Sequence, residues 1–470
     1  MLNKYFSKKK LLVTLLFVFT IFALSLFADE SLGRFLTLSV LVLIFYFSYF
    51  FTNKIPLSFL LFIILSLPLN ITYQQPIEFS NTLVNNIHVN YLVPTLSVID
   101  LGVFLFFFAS LIENNFVFKK IYIKYKLPLL LFLVFLLAQN IFFRDILVSL
   151  NSVRFFAYIL AFLILVEEFQ KNGIKRKEII IVSLFLLIST VLQAMIGYIQ
   201  FEKGVSLGLN YFGESKVAAG LLGSSFVSLS GNEILRSYGT FPHPNMLAGF
   251  FLLSFFFSLY LLKNIEKKFS FLPYITILTT IIFIIPTFSR VTILVLFLCI
   301  LVLGIAFLFK RKVFFSFTPV LLTERFFSLF KGGDLGAIDR VNLIKVFPSV
   351  FKENIFQGTG LGRFVLFMGD RAPVTKGGLF LLQPVHNVVL LLLSELGIFG
   401  FSSFCFLFYT IIKKNIKSLT LVSVLILFSL FVISMFDHYL VSLPQGIAMF
   451  WCFIGLTILF SNKLKKVSSR

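Results

Sequence analysis

The residues of this sequence best suited to chemistry are four histidines and an uneven set of arginines. The histidines are His88, His243, His386 and His438. None is spaced from another as HxxxH or HxH, the patterns that put two imidazoles on one face for zinc, so no metal site is expected. Imidazole titrates near neutrality and can act as general acid or base. His386 stands out among the four because it opens a long apolar segment directly after a long polar stretch, where its ring can face a cavity. Arg236 and Arg290 abut apolar segments in the same way, and ionisable groups at that depth are costly and usually functional. A guanidinium is a rigid planar fork that grips phosphate through two hydrogen bonds and stays charged in a poorly solvated site. These residue types suit a phosphate-bearing ligand and proton transfer at a hydroxyl. A plainer reading stands beside this one. A lone His is commonly a hydrogen-bonded structural residue, and an Arg can pair with a loop acid or a lipid headgroup.

Three segments concentrate these groups. The first runs Arg236-Ser-Tyr-Gly-Thr-Phe-Pro-His-Pro-Asn245, where Pro242 and Pro244 stiffen the approach to an apolar run and Asn245 can cap a helix. The second is the pair Ser289-Arg290. The third is His386-Asn387, followed by Glu395-Leu-Gly-Ile-Phe-Gly400. Glu395 lies nine residues beyond His386, about 13 Å along a helix, which favours a packing role beside Gly397 and Gly400. Gly358-Thr-Gly-Leu-Gly362 is not a P-loop, since no Gly-Lys-Ser/Thr follows. It reads as a plain turn or as a set of backbone amides open to an anion. Cys299, Cys405 and Cys452 sit in apolar runs without a CxxC, so neither a disulfide framework nor a metal site is expected of them.

The elements that must position these groups are membrane helices. The chain is 59% hydrophobic and 13% charged, with 67 Phe and one Trp, whereas soluble domains carry about 25% charge. Apolar runs of roughly 15–23 residues approach or reach the length needed to cross the hydrocarbon core. They fall at 11–28, 34–52, 55–69, 95–112, 127–143, 153–166, 179–200, 245–262, 270–288, 291–309, 386–410, 418–436 and 446–461, with a shorter candidate at 313–322. The predicted fold is an all-α polytopic membrane protein of about 12–14 transmembrane helices. Lys8–Lys10 followed by Leu11–Phe27 resembles a signal peptide, but no good small-x-small site precedes Asp29, so a retained first helix is expected.

Lysine clusters between the runs set the orientation by the positive-inside rule. They place both termini inside, which requires an even number of crossings and leaves 313–322 to cross or re-enter. Two long loops, 201–244 and 323–385, then face outward. Within the larger, Val341, Ile344, Phe347 and Phe351 recur at helical spacing, predicting a short amphipathic helix with Pro348 as a kink. The organisation is thus an N-terminal set of helices over 1–178, a core over 179–410 that includes both loops, and C-terminal helices with a Lys-rich cytoplasmic tail over 411–470.

The net charge of +21 is not a nucleic-acid signal, because its lysines form short clusters between apolar runs. Sorted by side, lysine dominates within, whereas the predicted outer segments hold Arg34, Arg144, Arg154, Arg236, Arg290, Arg325, Arg340, Arg363 and Arg371. Topology does not require arginine outside. A phosphate-bearing ligand in an outward cavity would explain it.

The three segments, in this order, resemble the bacterial O-antigen ligase and polymerase superfamily. Its members show R-x-x-G-T-x-x-H-P-N, then an S-R pair, then a large outer loop, then an H-N helix ending in E-x-G-x-x-G. Its loop also holds an Arg followed by a G-x-G stretch, which Arg340 and Gly358–Gly362 match. The resemblance spans about 230–402. The chain departs from the pattern near Ile355, where Pro is frequent, and at Val388-Val389, where Tyr often follows H-N.

The resemblance implies a metal-independent glycosyltransferase without a cofactor, in the bacterial cytoplasmic membrane, with its site on the extracytoplasmic side. Its donor would be a polyprenyl-diphosphate-linked glycan, and its acceptor a lipid or glycan hydroxyl. Catalytic residues would be His386 as base and Arg236 and Arg290 on the diphosphate. Arg340, His243, Asn245, Asn387 and Arg363 would bind substrate. A ligase is favoured, with a polysaccharide polymerase of the same family as the alternative. A transporter or flippase of lipid-linked glycan is the alternative of another class, but it would place charge near the bilayer midplane, where these segments carry almost none.

Overall fold

A computed structural model describes residues 8–25, 32–74, 82–112, 117–311 apart from 219, 222, 230 and 231, and 335–461 apart from 376, 377 and 417. Among them, nine helices are long and apolar enough to cross a membrane and four shorter apolar helices accompany these. They coincide with the thirteen longer apolar runs. The candidate at 313–322 and Arg325 lie outside the described residues, as does the Lys-rich tail from residue 462.

In chain order the helices are α1 (Lys8–Ser25), α2 (Leu32–Thr52), α3 (Ile55–Ser66), α4 (Val98–Ile112), α5 (Val117–Phe143), α6 (Ile146–Asn172), α7 (Arg176–Lys203), α8 (Pro244–Asn264), α9 (Phe271–Phe283), α10 (Arg290–Arg311), α11 (Leu335–Glu353), the short α12 (Phe364–Met368), α13 (Val388–Asn415), α14 (Leu421–Phe436), the single turn α15 (Tyr439–Ser442) and α16 (Pro444–Ser461). Two helices form the middle of the bundle: in α8 and α16 most residues of the apolar stretch are buried, whereas in α2, α5 and α10 most are not and apolar faces are exposed. Phe250, Phe251, Phe256 and Phe453 fill the centre. Burial on every side explains why α8 and α16 read as apolar all round.

One end of the bundle is tied by carboxylate–lysine contacts. Lys54 meets Glu178 at 2.7 Å, and Lys120 and Lys124 both reach Glu167. At the other end the connections fold over the helices. Among the described residues three short two-stranded sheets form there, which the apolar pattern does not predict. β1 (Thr72–Gln74) pairs antiparallel with β4 (Thr95–Ser97), β2 (Leu83–Val84) with β3 (Ile87–His88), and β5 (Phe226–Leu229) with β6 (Asn232–Leu235). The run expected as helix from 95 therefore begins as strand, and α4 starts only at Val98.

The segment expected as an amphipathic helix is α11. Leu343 and Val350 are fully buried, Val341 and Ile344 remain exposed, and Phe347 stacks on Phe351 at 5.5 Å. Helix α13 breaks at Gly397, which sits at φ 64°. The break exposes carbonyls of the preceding turn. Thr359 N–H donates to Ser394 O at 2.9 Å and Gly360 N–H to Glu395 O at 3.0 Å. Gln139 of α5 donates to the same Glu395 carbonyl at 2.8 Å. The amides of Thr359 and Gly360 thus bind helix, which favours the plain-turn reading over an anion site. Gly358 is required there, since a Cβ would meet the Glu395 carbonyl oxygen and φ is +72°. Glu395 itself is buried and accepts from Phe364 N–H at 3.4 Å, in line with a packing role.

Candidate active site at the folded end of the bundle

The segment Arg236–Asn245 is held from below by two glutamines of α7, seven residues apart. Gln200 Oε1 accepts from Tyr238 N–H at 3.1 Å and Gly239 N–H at 2.8 Å, and Gln193 Oε1 accepts from Thr240 N–H at 2.9 Å. Thr240 donates its hydroxyl to Pro68 O at 2.6 Å. These bonds satisfy amides that burial would otherwise strand. The helix that follows is capped by His243, whose Nδ1 accepts from Asn245 N–H at 3.2 Å, with Pro244 at the first helical position. The expectation that Asn245 caps is thereby corrected: a capping side chain must precede the helix, and Asn245 already lies inside it.

Asn245 instead bridges two charges. Its Oδ1 accepts from Arg236 Nη2 at 2.7 Å, and its Nδ2 donates to Asp437 Oδ2 at 2.7 Å. The other carboxylate oxygen of Asp437 lies 3.6 Å from His386 Nδ1. Arg236, Asn245, Asp437 and His386 thus form one continuous series. Arg236 Nε also donates to Thr287 O at 2.7 Å, which fixes it to the turn that leads into Arg290 at the start of α10. Arg340 of α11 is close enough for its charge to act on both His243 and His438.

His386 is held at the head of α13 by its neighbour. Asn387 is the N-cap: its Oδ1 accepts from Leu390 N–H at 3.0 Å and its Nδ2 donates to Met435 O at 3.3 Å. The expected helix start at 386 therefore falls two residues late, at Val388. His386 Nε2 lies 3.2 Å from Oε1 of the exposed Gln383. The ring of His438 packs edge-on to His386 at 4.7 Å, and its Nδ1 lies 2.7 Å from the Ser442 hydroxyl. A nitrogen from each of these two histidines and an Asp437 oxygen all lie within 4.8 Å of one another. Spacing could not reveal this group, because its members are 51 or more positions apart or adjacent in a turn.

The electrostatics follow from crowding. His243 is driven down to about 3, first by desolvation and then by the Arg236 charge. His438 is likewise driven to about 3, first by burial and then by His386. For Asp437, desolvation favours the neutral acid but is outweighed by contact with His386 and by its charge, with His438 and His243 adding, so the carboxyl stays well below its ordinary value. The site holds one buried carboxylate beside guanidinium groups, with the imidazoles of His243 and His438 held neutral.

Not every arginine expected outside converges here. Arg363 lies 3.5 Å from Asp145 and stacks on Phe143 and Phe367. Arg154 is buried and paired with Asp100 at 2.7 Å, and Arg371 pairs with Glu353 at 2.6 Å. These three have loop or helix acids as partners. Sequence reasoning missed Asp437, which sits beside the noted His438 at the end of an apolar run.

The fold and this cluster define a polytopic membrane protein with a polar, arginine- and histidine-bearing site at one end of its helices. Residues 274–405 match the family model described as O-antigen ligase, so this segment is similar to the O-antigen ligase/polymerase superfamily. The matched segment includes Arg290, Arg340, Arg363, His386 and Asn387, while Arg236, His243, Asn245 and Asp437 lie outside it. No curated protein matches the chain. The match supports, in general terms, a glycosyltransferase function of the O-antigen ligase/polymerase kind.

Proposed function

We propose that the protein transfers a glycan from a polyprenyl-diphosphate carrier to an acceptor hydroxyl at the extracytoplasmic face of a bacterial cytoplasmic membrane. The observation that carries this reading is the series Arg236–Asn245–Asp437–His386, two hydrogen bonds followed by a 3.6 Å contact between the Asp437 carboxylate and the His386 ring. It couples a phosphate-binding group to a base across the helix bundle.

The donor is already activated, because its leaving group is a lipid diphosphate. Arg236 and Arg290 bind that diphosphate and neutralise charge as the C1–O bond breaks. Arg340 approaches from α11. His386 takes the proton of the acceptor hydroxyl at Nε2, where Gln383 now stands. For that, the neutral ring must carry its hydrogen on Nδ1, facing Asp437. Asp437 favours this tautomer and the imidazolium that follows, as an orienting carboxylate does in other acid–base sites. Asn387 acts by holding the ring at the helix head, and His243 by capping the helix that carries Asn245. Arg363 contributes by fixing the glycine loop against α5 and α6.

The test is reconstitution of the purified protein with a lipid-diphosphate glycan and candidate acceptors, wild type against His386→Ala. Transfer by the wild type alone supports the reading. Transfer by both overturns the base role, and glycan crossing a liposome without covalent transfer overturns the reaction class. Supplying lipid-linked repeats without a terminal acceptor separates the two members of the family: unchanged donor marks the favoured ligase, and longer chains mark a polymerase.

A further inference from the structure

We propose that His386 Nδ1, Asp437 and His438 form a binding site for a divalent transition-metal ion of the zinc class, and that the ion switches the base off. The metal site stands on geometry alone; its effect on activity rests on the transfer reaction proposed above.

The geometry comes from three observations. Zinc holds nitrogen and oxygen ligands at about 2.0–2.2 Å, so two ligands of a tetrahedral ion lie roughly 3.4 Å apart. His386 Nδ1 and Asp437 Oδ1 are 3.6 Å apart, too long for a direct hydrogen bond and close to that span. His386 Nδ1 is also a buried nitrogen with no hydrogen-bond partner. Among the described residues, this is the group of His, Cys, Asp and Glu side chains whose ligand atoms converge within 4.8 Å.

The surrounding bonds set the tautomers a metal needs. Ser442 Oγ donates its hydrogen to the His438 carbonyl at 3.1 Å, so it accepts from His438 Nδ1–H at 2.7 Å. That leaves His438 Nε2 with the lone pair. Gln383 Oε1 lies 3.2 Å from His386 Nε2, so with metal on Nδ1 it can accept the hydrogen held on Nε2. Asn245 holds the second oxygen of Asp437. Each ligand thus has an outer partner that orients it, the arrangement that tunes protein metal sites. Water or an acceptor oxygen completes the coordination. The charges of Arg236 and Arg340 oppose a cation and set the affinity below that of a structural zinc site.

The consequence for the base follows from proton counting. A neutral ring carries one hydrogen, so metal on Nδ1 requires that hydrogen to sit on Nε2. The ring then has no lone pair for an acceptor hydroxyl. Metal and the productive tautomer exclude each other.

The experiment uses full-length protein in detergent, stripped with a chelator and titrated with Co²⁺. One equivalent should give the visible d–d bands of a four-coordinate nitrogen–oxygen site, and Zn²⁺ should bleach them. His438→Gln should lose the bands, while His88→Gln, an exposed control, should keep them. In the transfer assay, Zn²⁺ should lower wild-type turnover by about 10²-fold, the low end of what a general base supplies, and leave His438→Gln uninhibited. Failure of wild type to bind one equivalent of Co²⁺ overturns the site, as do bands that survive His438→Gln. Bands with undiminished transfer overturn the switch. If no transfer is found under any condition, the Co²⁺ spectrum still decides the metal site, so the two proposals fail separately.

Discussion

Asn245 Nδ2 donates to Asp437 Oδ2 at 2.7 Å across 192 positions of chain. This bond joins the segment that opens α8 to the turn that closes α14, and it orients the carboxylate that faces His386. Both chemistry-bearing ends of the site depend on it.

The base is the first group to test. His386→Ala should insert and fold normally, since the ring is half-buried and the helix cap is Asn387. Its transfer rate should fall by about 10²–10⁴-fold. The measurement is single-turnover transfer in proteoliposomes, and a wild-type rate would remove His386 from the mechanism.

Asp437 acts through His386, so its substitution should mark kcat more than KM. Asp437→Asn should lower kcat on the order of 10²-fold with little change in donor KM. Asp437→Glu should recover part of the loss. Equal losses in both variants, accompanied by a lowered Tm, would reduce Asp437 to a packing residue.

The arginines should not tolerate lysine. Arg290→Lys keeps the charge but loses the planar fork, so transfer should drop by the equivalent of about 2.7–4 kcal/mol of barrier, by analogy with loss of an oxyanion donor. Initial rates against donor concentration check this. Full activity of Arg290→Lys would argue against a phosphate clamp at that position.

Acid should destabilise the fold through His243. Its folded value is about 3, set by desolvation and then Arg236, against about 6.5 in the unfolded chain. Between those values the unfolded state binds a proton that the fold refuses, so stability falls as pH falls through this window and is fully present above it. Tm in detergent should therefore drop from pH about 7 to pH about 5, and His243→Gln should lessen that slope, with His438, driven down to the same value, supplying the remainder. An identical slope in the variant would place the acid sensitivity elsewhere.

The glycines at the helix break should resist substitution. Gly397→Ala places a Cβ on the Phe356 carbonyl oxygen at φ +64°. Strain of this kind costs of order 1–3 kcal/mol, read as a lowered Tm and poorer expression. Unchanged Tm would mean that the loop yields.

Much of this was legible in the residues. The thirteen helices follow from apolar length, which backbone hydrogen bonding in lipid makes decisive. The loop helix followed from the spacing of Val341, Ile344, Phe347 and Phe351. The role of Glu395 followed from distance along a helix. Less legible was the partner of His386, because Asp437 is brought to it only by the packing of α13 against α14 and α15. The arginines were over-read for the same reason: Arg154 and Arg371 meet Asp100 and Glu353 through folding that no spacing announces. The short strand pairs escaped because strands of two to four residues leave no periodicity to detect.

An unbroken rod from Val388 to Asn415 would convey every tilt of its lipid-bathed portion to the imidazole at its head. The discontinuity at Gly397 interrupts that lever, and Gln139 with the glycine loop clamps the upper piece to its protein neighbours. Aim at the reacting hydroxyl is therefore set by the interior of the protein, and bilayers of different thickness should leave it unaltered.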